Sequence, residues 1–404
     1  MTETQPVTQH IDRSSTPTER ALAPDLGRGL MLALIAIANV MIYLIDRPYG
    51  YRQHIVEDGA ANHVVSTLVV TLVDGRAFPL FAFLFGYGIV QLAGRQRAKG
   101  TADAEVRRIL RRRHLALIVI GAVHAVLLFP GDILGWYGVV GLLVVALLGR
   151  GDRALLTLGA LWLLPASIVV GLIYSRPAPG DDRGHFWSFE VADPTLTLGL
   201  RALEWVMSPF GLLPVVTAAL VGVVAARHRI LEEPRAHRRL LRRVATGGIA
   251  LAVAGGLPSG LVVGSYLSTP DGTVAWLLAF VHSLTGVAGG LGLAAGFGLV
   301  AARSSQGRRR ALIDALAATG RRSMSAYLFQ SVVFVALLTL PLGGLGAELG
   351  TATAAGLALA VWAVSVLVAA LMDRRSVRGP AEVVLRRWSY RPARVEPRSG
   401  RKGH

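Results

Sequence analysis

The chain has 404 residues, of which 53% are hydrophobic and only 17% are charged, and its mean hydropathy is +0.51. Soluble globular domains are about 45–50% apolar and about 25% charged, so the composition excludes an ordinary soluble protein and predicts an all-α polytopic membrane bundle. The net charge of +17 does not indicate a nucleic-acid partner, because the basic residues form short blocks between apolar runs. Cysteine is absent, which excludes disulfides and thiolate metal sites, and we predict no metal site.

The first 24 residues are polar and contain Asp12 and Glu19. They lack an apolar segment with a small-residue cleavage site, so we expect no cleaved signal peptide. Residues 1–24 are predicted to be a disordered cytoplasmic tail and residues 25–390 the transmembrane domain. Residues 391–404 are predicted to be a disordered basic tail.

Apolar runs follow one another through the rest of the chain. About 20 apolar residues, with a range of roughly 17–25, cross a hydrocarbon core of about 30 Å. About ten transmembrane helices are therefore predicted, at residues 27–45, 76–94, 115–130, 133–149, 154–175, 207–226, 244–264, 275–302, 324–341 and 352–371. Only Pro130 and Gly131 separate the third run from the fourth, which predicts a tight helical hairpin. The shorter stretch 64–73 is either an interfacial segment or an extension of the second helix.

Basic residues are distributed unevenly between the two sets of connections. With the N-terminus inside, the segments predicted to be cytoplasmic hold 36 of the 42 lysines and arginines, and the outside loops hold 6. Basic residues hold back the translocation of short loops, so both termini are predicted to be cytoplasmic. RRILRRR at 107–113 and RRLLRR at 238–243 are expected to contact an anionic cytoplasmic leaflet.

Two further segments have a distinctive composition. Glycine is concentrated in the seventh and eighth runs, as in TGVAGGLGLAAGFG at 285–298, which favours tight helix packing over a flexible gate. The outside loop from Arg176 to Glu204 is predicted to be an irregular or re-entrant cap.

Two ionisable residues stand out in the hairpin GAVHAVLLFPGDILGWYGVVGLL at 121–143. His124 lies at bilayer depth, where it is either a general base or proton relay, or a neutral histidine bonded to a neighbouring helix. Asp132 begins the fourth run and is expected to cap its first turn, a role that is compatible with orienting His124. Tyr137 follows on the same run as a candidate substrate contact.

Polar residues around the first two runs form a second group. Asp74 is a plausible N-cap of the second helix, and Arg76 at its outer rim either snorkels to the surface or binds an anion. Asn39 lies deep in the first run and needs partners inside lipid. Asp25 and Arg28 are spaced to pair across one helical turn.

In the ninth run, MSAYLFQSVVF places Tyr327, Gln330 and Ser331 within a turn of one another. Such a polar stripe either joins neighbouring helices or lines a pocket.

Five stretches in order resemble the YeiB-like membrane proteins, the domain-of-unknown-function 418 family. They are APDLGRGLMLALIAIANV, GRAFPLFAFLFGYG, RRRHLALIVIGAVHAVLLFPGDILGWYGVVGLL, GRRSMSAYLFQSVVF and RGPAEVVLRRWSY, which together run from Asp25 to Tyr390. The family usually has lysine at the position of Arg76, and the guanidinium here makes a bidentate anion contact feasible.

The first run and the FPLF block are also similar to the transmembrane acyltransferase superfamily. Its acyltransferase-three branch carries a histidine where this chain has Asn39. The heparan-glucosaminide acetyltransferase branch has asparagine there and places its catalytic histidine before the second span. His54 and His63 are the nearest equivalents, but neither spacing matches cleanly, so the resemblance favours His124 as the base.

Two functions follow as hypotheses. The first is an acyltransferase that uses acyl-CoA as a co-substrate and holds no bound cofactor. His124 and Asp132 would be its catalytic residues, and Arg76 and Gln330 its acceptor or oxyanion ligands, with a lipid, glycan or small metabolite as acceptor.

The second hypothesis is a transporter or flippase for a small or lipid-linked molecule, with His124 and Asp132 as a proton relay. A regulatory membrane subunit is the third alternative. In each case the predicted location is a bacterial inner membrane, and the partners are the bilayer with its anionic leaflet and a small-molecule or lipid substrate.

Overall fold

A computed structural model describes residues 22–175, 183–303, 309–339 and 342–390. These residues are all-α, and their only strand-like pairing is an isolated antiparallel bridge between Tyr49 and Ile55. The predicted all-α class is therefore confirmed. The C-terminal tail predicted for 391–404 lies outside the described residues, as does nearly all of the N-terminal one.

The described residues form fourteen α-helices. They are α1 (Leu22–Val40), α2 (Ala60–Leu72), α3 (Ala77–Arg97), α4 (Asp103–Leu127), α5 (Leu134–Leu147), α6 (Asp152–Tyr174), α7 (Pro194–Met207), α8 (Val215–Arg227), α9 (Arg238–Val263), α10 (Gly272–Arg303), α11 (Arg309–Arg321), α12 (Ser323–Leu338), α13 (Thr351–Arg374) and α14 (Pro380–Ser389).

Six helical segments among the described residues are long and apolar enough to cross a membrane: Leu22–Tyr43, Ala60–Arg97, Asp152–Tyr174, Arg238–Val263, Gly272–Arg303 and Thr351–Arg374. A seventh results if α7, which bends by 61° into α8, is counted with it as one span. The remaining segments of the predicted ten are α4, α5 and α12. The last two are apolar but have only 14 and 16 residues.

The N-terminal boundary differs from the prediction, whereas the stretch 64–73 agrees with one of its two predicted alternatives, an extension of the second span. Residues 22–24 lie in helix α1 and therefore do not belong to a disordered tail. Pro24 is compatible with this helix because proline is tolerated in a first turn. The stretch 64–73 lies in α2, which continues towards α3 within one candidate span. Gly75, with φ of +71°, forms the turn between these helices.

Of the two alternatives predicted for 176–204, an irregular cap is wrong for the C-terminal part, which is helix α7, whereas a re-entrant cap is compatible with the bend between α7 and α8. The Asp193 side chain accepts the backbone N–H of Leu196 at 2.7 Å, and Pro194 follows as the first helical residue. This is an ordinary helix start, with a capping carboxylate and a proline whose missing N–H costs nothing. Residues 176–182 of that prediction lie outside the described residues.

The glycine-rich helices α9 and α10 pack along one another. A methyl group added at Gly248 would meet the backbone of Gly292 and Ala288, and one added at Gly292 would meet Gly248. The glycines therefore allow close backbone approach, which is the packing role that the sequence favours.

Helix α1 lies at the centre of the bundle, in contact with α3, α10, α11, α12 and α13. At one end of the bundle, aromatic side chains from three connections between helices pack together. Tyr43, after α1, stacks on Phe129, between α4 and α5, and lies edge-on to Phe189, between α6 and α7. We call this the aromatic end, and we call the opposite one, with Arg95, Arg113 and Arg321, the arginine end.

Candidate functional site

The α4–α5 hairpin holds a buried histidine–aspartate pair. Nδ1 of His124, in the last turn of α4, lies 2.8 Å from Oδ1 of Asp132, and both side chains are at most 1% exposed. The other carboxylate oxygen accepts the backbone N–H of Gly135 at 2.7 Å. Asp132 therefore caps α5 and orients His124 at once, which are the two contacts that its position before α5 suggests.

This contact determines which nitrogen of His124 is available. The carboxylate accepts a hydrogen bond from Nδ1–H, so the neutral ring carries its lone pair on Nε2. Nε2 is buried and has no hydrogen-bond partner among the described residues. An oriented imidazole with a free Nε2 has the arrangement of a general base.

Aromatic and amide groups surround the pair. The Tyr327 ring centroid lies 5.0 Å from that of His124, and Asn39 and the backbone N–H of Ile133 are near the Tyr327 hydroxyl without making a hydrogen bond of normal geometry to it. Tyr137 donates its hydroxyl to the Phe78 carbonyl at 2.7 Å. Helices α1, α4, α5 and α12 and the turn before α5 thus each bring one predicted polar residue to the same region. We call this region the hairpin site, and its residues are Asn39, His124, Asp132, Tyr137 and Tyr327.

A cavity of about 760 Å³ extends from the arginine end to the hairpin site. Seven arginines line it, and they are accompanied by the acids Asp373 and Glu382. The arginines are Arg28, Arg95, Arg113, Arg321, Arg322, Arg378 and Arg386. We call this space the arginine-rich cavity.

The polarity of the arginine-rich cavity changes with depth. Its inner wall is apolar, with Met31, Leu32 and Ile35 from α1, and Tyr137 and Tyr327 also line it. His124 is not part of the lining but lies directly behind the Tyr327 ring. The cavity therefore has a cationic mouth and an apolar interior that ends one aromatic ring from His124.

Asp25 and Arg28 form an ion pair of 3.2 Å at the start of α1, across one turn. Arg28 also donates to the Leu84 carbonyl at 3.0 Å, which joins α1 to α3 beside the arginine-rich cavity. This pair thus positions an arginine in the cavity wall.

The three polar residues predicted on α12 do not share one environment. Tyr327 lies in the hairpin site, and Ser331 donates to its backbone carbonyl at 3.3 Å. Gln330 donates to Ser365 of α13 at 3.3 Å. Gln330 and Ser331 do not line either cavity and connect neighbouring turns and helices.

Arg76 belongs to a different cluster. It is 1% exposed and donates to the Ala252 carbonyl at 2.7 Å, while Nη1 lies 2.5 Å from Nε2 of His282. The alternative that Arg76 snorkels is therefore wrong, because its side chain is buried and its two terminal nitrogens contact backbone carbonyls and a histidine inside the bundle. Nε2 of His282 also lies 2.9 Å from the Val70 carbonyl, and it can satisfy only one of these neighbours at a time.

The expected N-cap role of Asp74 is also wrong. Helix α3 begins only at Ala77, after the turn at Gly75, and its N-terminus has no side-chain cap. The Asp74 carboxylate instead lies 2.8 Å from Nε2 of His54. His63 contacts the Glu57 carbonyl at 3.0 Å, so the two histidines before α3 have separate local partners.

A second cavity, of about 150 Å³, lies next to the Arg76 cluster. Its lining includes Asp74 and five basic side chains, which are Arg52, His54, Arg183, His185 and His282. We call it the small cavity. Burial lowers the pKa of Arg183 from its ordinary value, and the nearby Tyr49 and Glu190 act in the opposite direction.

The two cavities follow one another along the same helices. On α1 the arginine-rich cavity is lined as far as Ile35 and the small cavity begins at Ala38, while Asn39 is close to this boundary. On α3 the small cavity includes Phe78 and the arginine-rich cavity begins at Phe81. The hairpin site therefore lies near the point where the two cavities approach each other.

Sequence reasoning missed several residues of these cavities. His114, in the wall of the arginine-rich cavity, and His282 are both fully buried. An ionisable residue inside an apolar helix is a candidate site by default, so both could have been selected on that signal. Arg52 and Arg183 lie in loops, and only the tertiary structure places them side by side.

The chain matches the family model described as "Protein of unknown function (DUF418)" over residues 225–392. It is similar to the "Uncharacterized protein YxaH" of Bacillus subtilis (strain 168), with 23% identity over 362 residues, 82% of this chain and 83% of the relative. It is also 28% identical over 176 residues to an "Uncharacterized 39.9 kDa protein in amylase 3'region" of Bacillus acidopullulyticus, 43% of this chain and 47% of that relative. The resemblance to the YeiB-like, DUF418 family is thus confirmed.

Proposed function

We propose that this helical membrane protein is an acyltransferase that moves an acyl group from an acyl-CoA to a hydroxyl or amine acceptor. One observation carries the proposal: a cavity with an arginine mouth and an apolar interior ends beside an oriented histidine whose Nε2 is free. The resemblance to membrane acyltransferases is an argument by analogy and adds to this geometry.

The arginine-rich cavity suits both halves of such a donor. Arg113, Arg378 and Arg386 are at its mouth, and guanidinium groups bind phosphate oxygens with paired, charge-assisted hydrogen bonds. The apolar interior matches an acyl chain, which gains free energy from leaving water. The thioester carbonyl would then lie at the deep end, near Tyr327.

The transfer step uses His124 as base and then as acid. Nε2 takes the proton of the acceptor hydroxyl or amine while the acceptor atom attacks the thioester carbonyl carbon. As the tetrahedral intermediate collapses, the carbon–sulfur bond breaks and the thiolate of coenzyme A takes the proton back from Nε2. Asp132 stabilises the imidazolium that forms between these steps.

The other predicted residues take supporting roles. Tyr327 separates His124 from the arginine-rich cavity in this conformation, so its ring moves aside when the thioester enters. Asn39 and Tyr137 contribute hydrogen-bonding groups beside it. Arg76 is assigned no part in the transfer, because it lies in the other cluster, and Gln330 and Ser331 hold α12 in place.

We also propose an orientation, with the arginine end and both termini in the cytoplasm of a bacterial inner membrane. The bundle would cross this membrane about ten times, with α4, α5, α8 and α12 added to the six long segments. Acyl-CoA would reach the cavity directly from the cytoplasm, and the basic blocks would lie on the anionic leaflet.

The test is release of coenzyme A by the purified chain in nanodiscs, with acetyl-CoA and palmitoyl-CoA as donors and a bacterial lipid and metabolite extract as the acceptor pool. Because the chain has no cysteine, it adds no thiol of its own, and the thiol signal above a matched reaction without the chain reports the released coenzyme A. His124→Gln should reduce the rate at least about 100-fold, the lower range for acid–base catalysis. His63→Gln, outside both cavities, is the matched control.

No release with either donor, or equal rates in wild type and His124→Gln, contradicts the proposal. A second candidate function is favoured by the two cavities on either side of the hairpin site, an arrangement that also suits a proton-coupled transporter. Uptake of a pool component into proteoliposomes without any acyl-CoA, driven by a proton gradient and lost in His124→Gln, would select transport instead.

A further inference from the structure

The small cavity carries an excess of positive charge that the proposed transfer does not use. Its basic side chains are the two arginines and three histidines named above, and Asp74 is the only acid among the described residues of its lining. Asp74 already lies 2.8 Å from His54. The described wall of this cavity is therefore cationic even with all three histidines neutral.

Arg52 is the central group of this wall. It is 8% exposed, and its Nε and Nη1 have no hydrogen-bond partner among the described residues. Its guanidinium carbon lies 5.0 Å from the centroid of the Tyr174 ring, so one face is held by an aromatic side chain while the edge keeps free donors. A buried guanidinium with unsatisfied N–H groups is costly unless an acceptor binds there.

The backbone holds Arg52 in an unfavourable conformation. Arg52 and Gln53 have φ of +60° and +62°, a region that residues other than glycine rarely adopt. Such a conformation is unfavourable for a residue other than glycine and persists only where the surrounding structure enforces it. The loop thus directs Arg52 into the bundle against its local preference.

Arg183 adds a second cation from the opposite loop. It donates to the Phe186 carbonyl at 3.3 Å and to the Ile42 carbonyl, and it lies 5.0 Å from the Tyr49 ring centroid. His185, two residues further on, has a buried Nε2 without a partner among the described residues. Both side chains line the small cavity together with Arg52.

We propose that the small cavity binds one oxyanion, a phosphate or a carboxylate, through the free edge of Arg52 with Arg183 and His185 as further donors. The volume of about 150 Å³ admits such a group but no large ligand. The anion is either free in solution or the headgroup of a lipid whose chains stay in the bilayer. The proposal rests on the small cavity alone and holds whether or not acyl transfer takes place.

The experiment measures the thermal unfolding midpoint of the full chain in phosphatidylcholine nanodiscs, followed by the fluorescence of its tryptophans. In one arm inorganic phosphate or acetate is titrated at constant ionic strength, with chloride as reference. In the other arm phosphatidylglycerol replaces part of the phosphatidylcholine. Arg52→Gln is compared with Arg47→Gln, which removes the same charge from the same loop but lies outside the cavity lining.

A saturable rise of the unfolding midpoint with phosphate or acetate supports a free anion, provided that the affinity falls about tenfold or more in Arg52→Gln and is unchanged in Arg47→Gln. If the unfolding midpoint rises only with phosphatidylglycerol, and this rise also depends on Arg52, the ligand is a lipid headgroup. No Arg52-dependent rise in either arm overturns the proposal.

If Arg52→Gln is not recovered folded, Arg52→Lys takes its place, because lysine keeps the charge but loses the planar fork of donors. Unchanged affinity in Arg52→Lys then overturns the proposed contact. Since this readout needs no acyl donor, its failure is distinct from a failure of the transfer proposal.

Discussion

Asp132 joins His124 to the first turn of α5 through its two carboxylate oxygens. One oxygen lies 2.8 Å from Nδ1 of His124, and the other accepts the Gly135 N–H at 2.7 Å. A side-chain amide has only one acceptor atom, so asparagine cannot accept hydrogen bonds from both Nδ1–H and the Gly135 N–H. The two carboxylate contacts therefore require aspartate.

Asp132→Asn is expected to lower coenzyme A release about 100-fold or more while the chain stays folded. The amide N–H₂ group would face either Nδ1 or the Gly135 N–H, so the variant loses the tautomer of His124 or the cap of α5. Rates are measured in nanodiscs beside Asp58→Asn, an exposed acid outside both cavities. A rate within twofold of wild type would show that Asp132 only caps the helix.

The hairpin site shows what could be predicted from sequence. His124 and Asp132 are eight residues apart, on either side of a proline–glycine break, so the short turn between α4 and α5 brings them together without any distant part of the chain. The contact of Asp25 with Arg28 spans one turn and is predictable for the same reason.

The Arg76 cluster shows why the rest was not predictable. Arg76 and His282 are 206 residues apart, and only the packing of α9 and α10 against α2 and α3 brings them together. A single sequence contains no periodicity that reports such a contact. The local rules therefore gave the wrong role for Asp74, and for Arg76 they kept open a snorkelling alternative that its burial excludes.

Gly121→Ala tests the close approach of α4 and α5. An added methyl group at Gly121 would meet the backbone nitrogen of Gly135 and the Asp132 carboxylate. Overpacking of this kind costs typically about 1–3 kcal/mol, so the thermal midpoint in detergent should fall and transfer should be lost with it.

Gly199→Ala on α7 is the control for that substitution, because an added methyl group there meets nothing within 4 Å. Alanine in a helix is favoured over glycine by roughly 0.5–1 kcal/mol, so its midpoint should stay or rise. Equal midpoints for the two variants would mean that the hairpin tolerates separation of its helices.

Arg378→Gln with Arg386→Gln tests the mouth of the arginine-rich cavity. Both side chains are exposed and line the cavity, so they would hold donor phosphates without supporting the fold. The double variant should raise KM for acyl-CoA several-fold to tenfold and leave kcat unchanged, because the contacts are the same before and during transfer.

The matched control is Arg235→Gln with Arg239→Gln, which removes two exposed charges outside both cavities. An equal rise in KM for both double variants would mean that net charge, and not the cavity mouth, attracts the donor. Raising the ionic strength should increase KM for wild type more than for Arg378→Gln with Arg386→Gln.

The orientation can be tested with single cysteines, because the chain contains none. Ala98 follows α3 at the arginine end and Ser268 lies between α9 and α10, and both are exposed. If the arginine end faces the cytoplasm, a membrane-impermeant maleimide should label Ser268→Cys in intact spheroplasts and Ala98→Cys only after permeabilisation. The reverse pattern would place the arginine-rich cavity outside the cell, where acyl-CoA has no access, and would refute orientation and donor together.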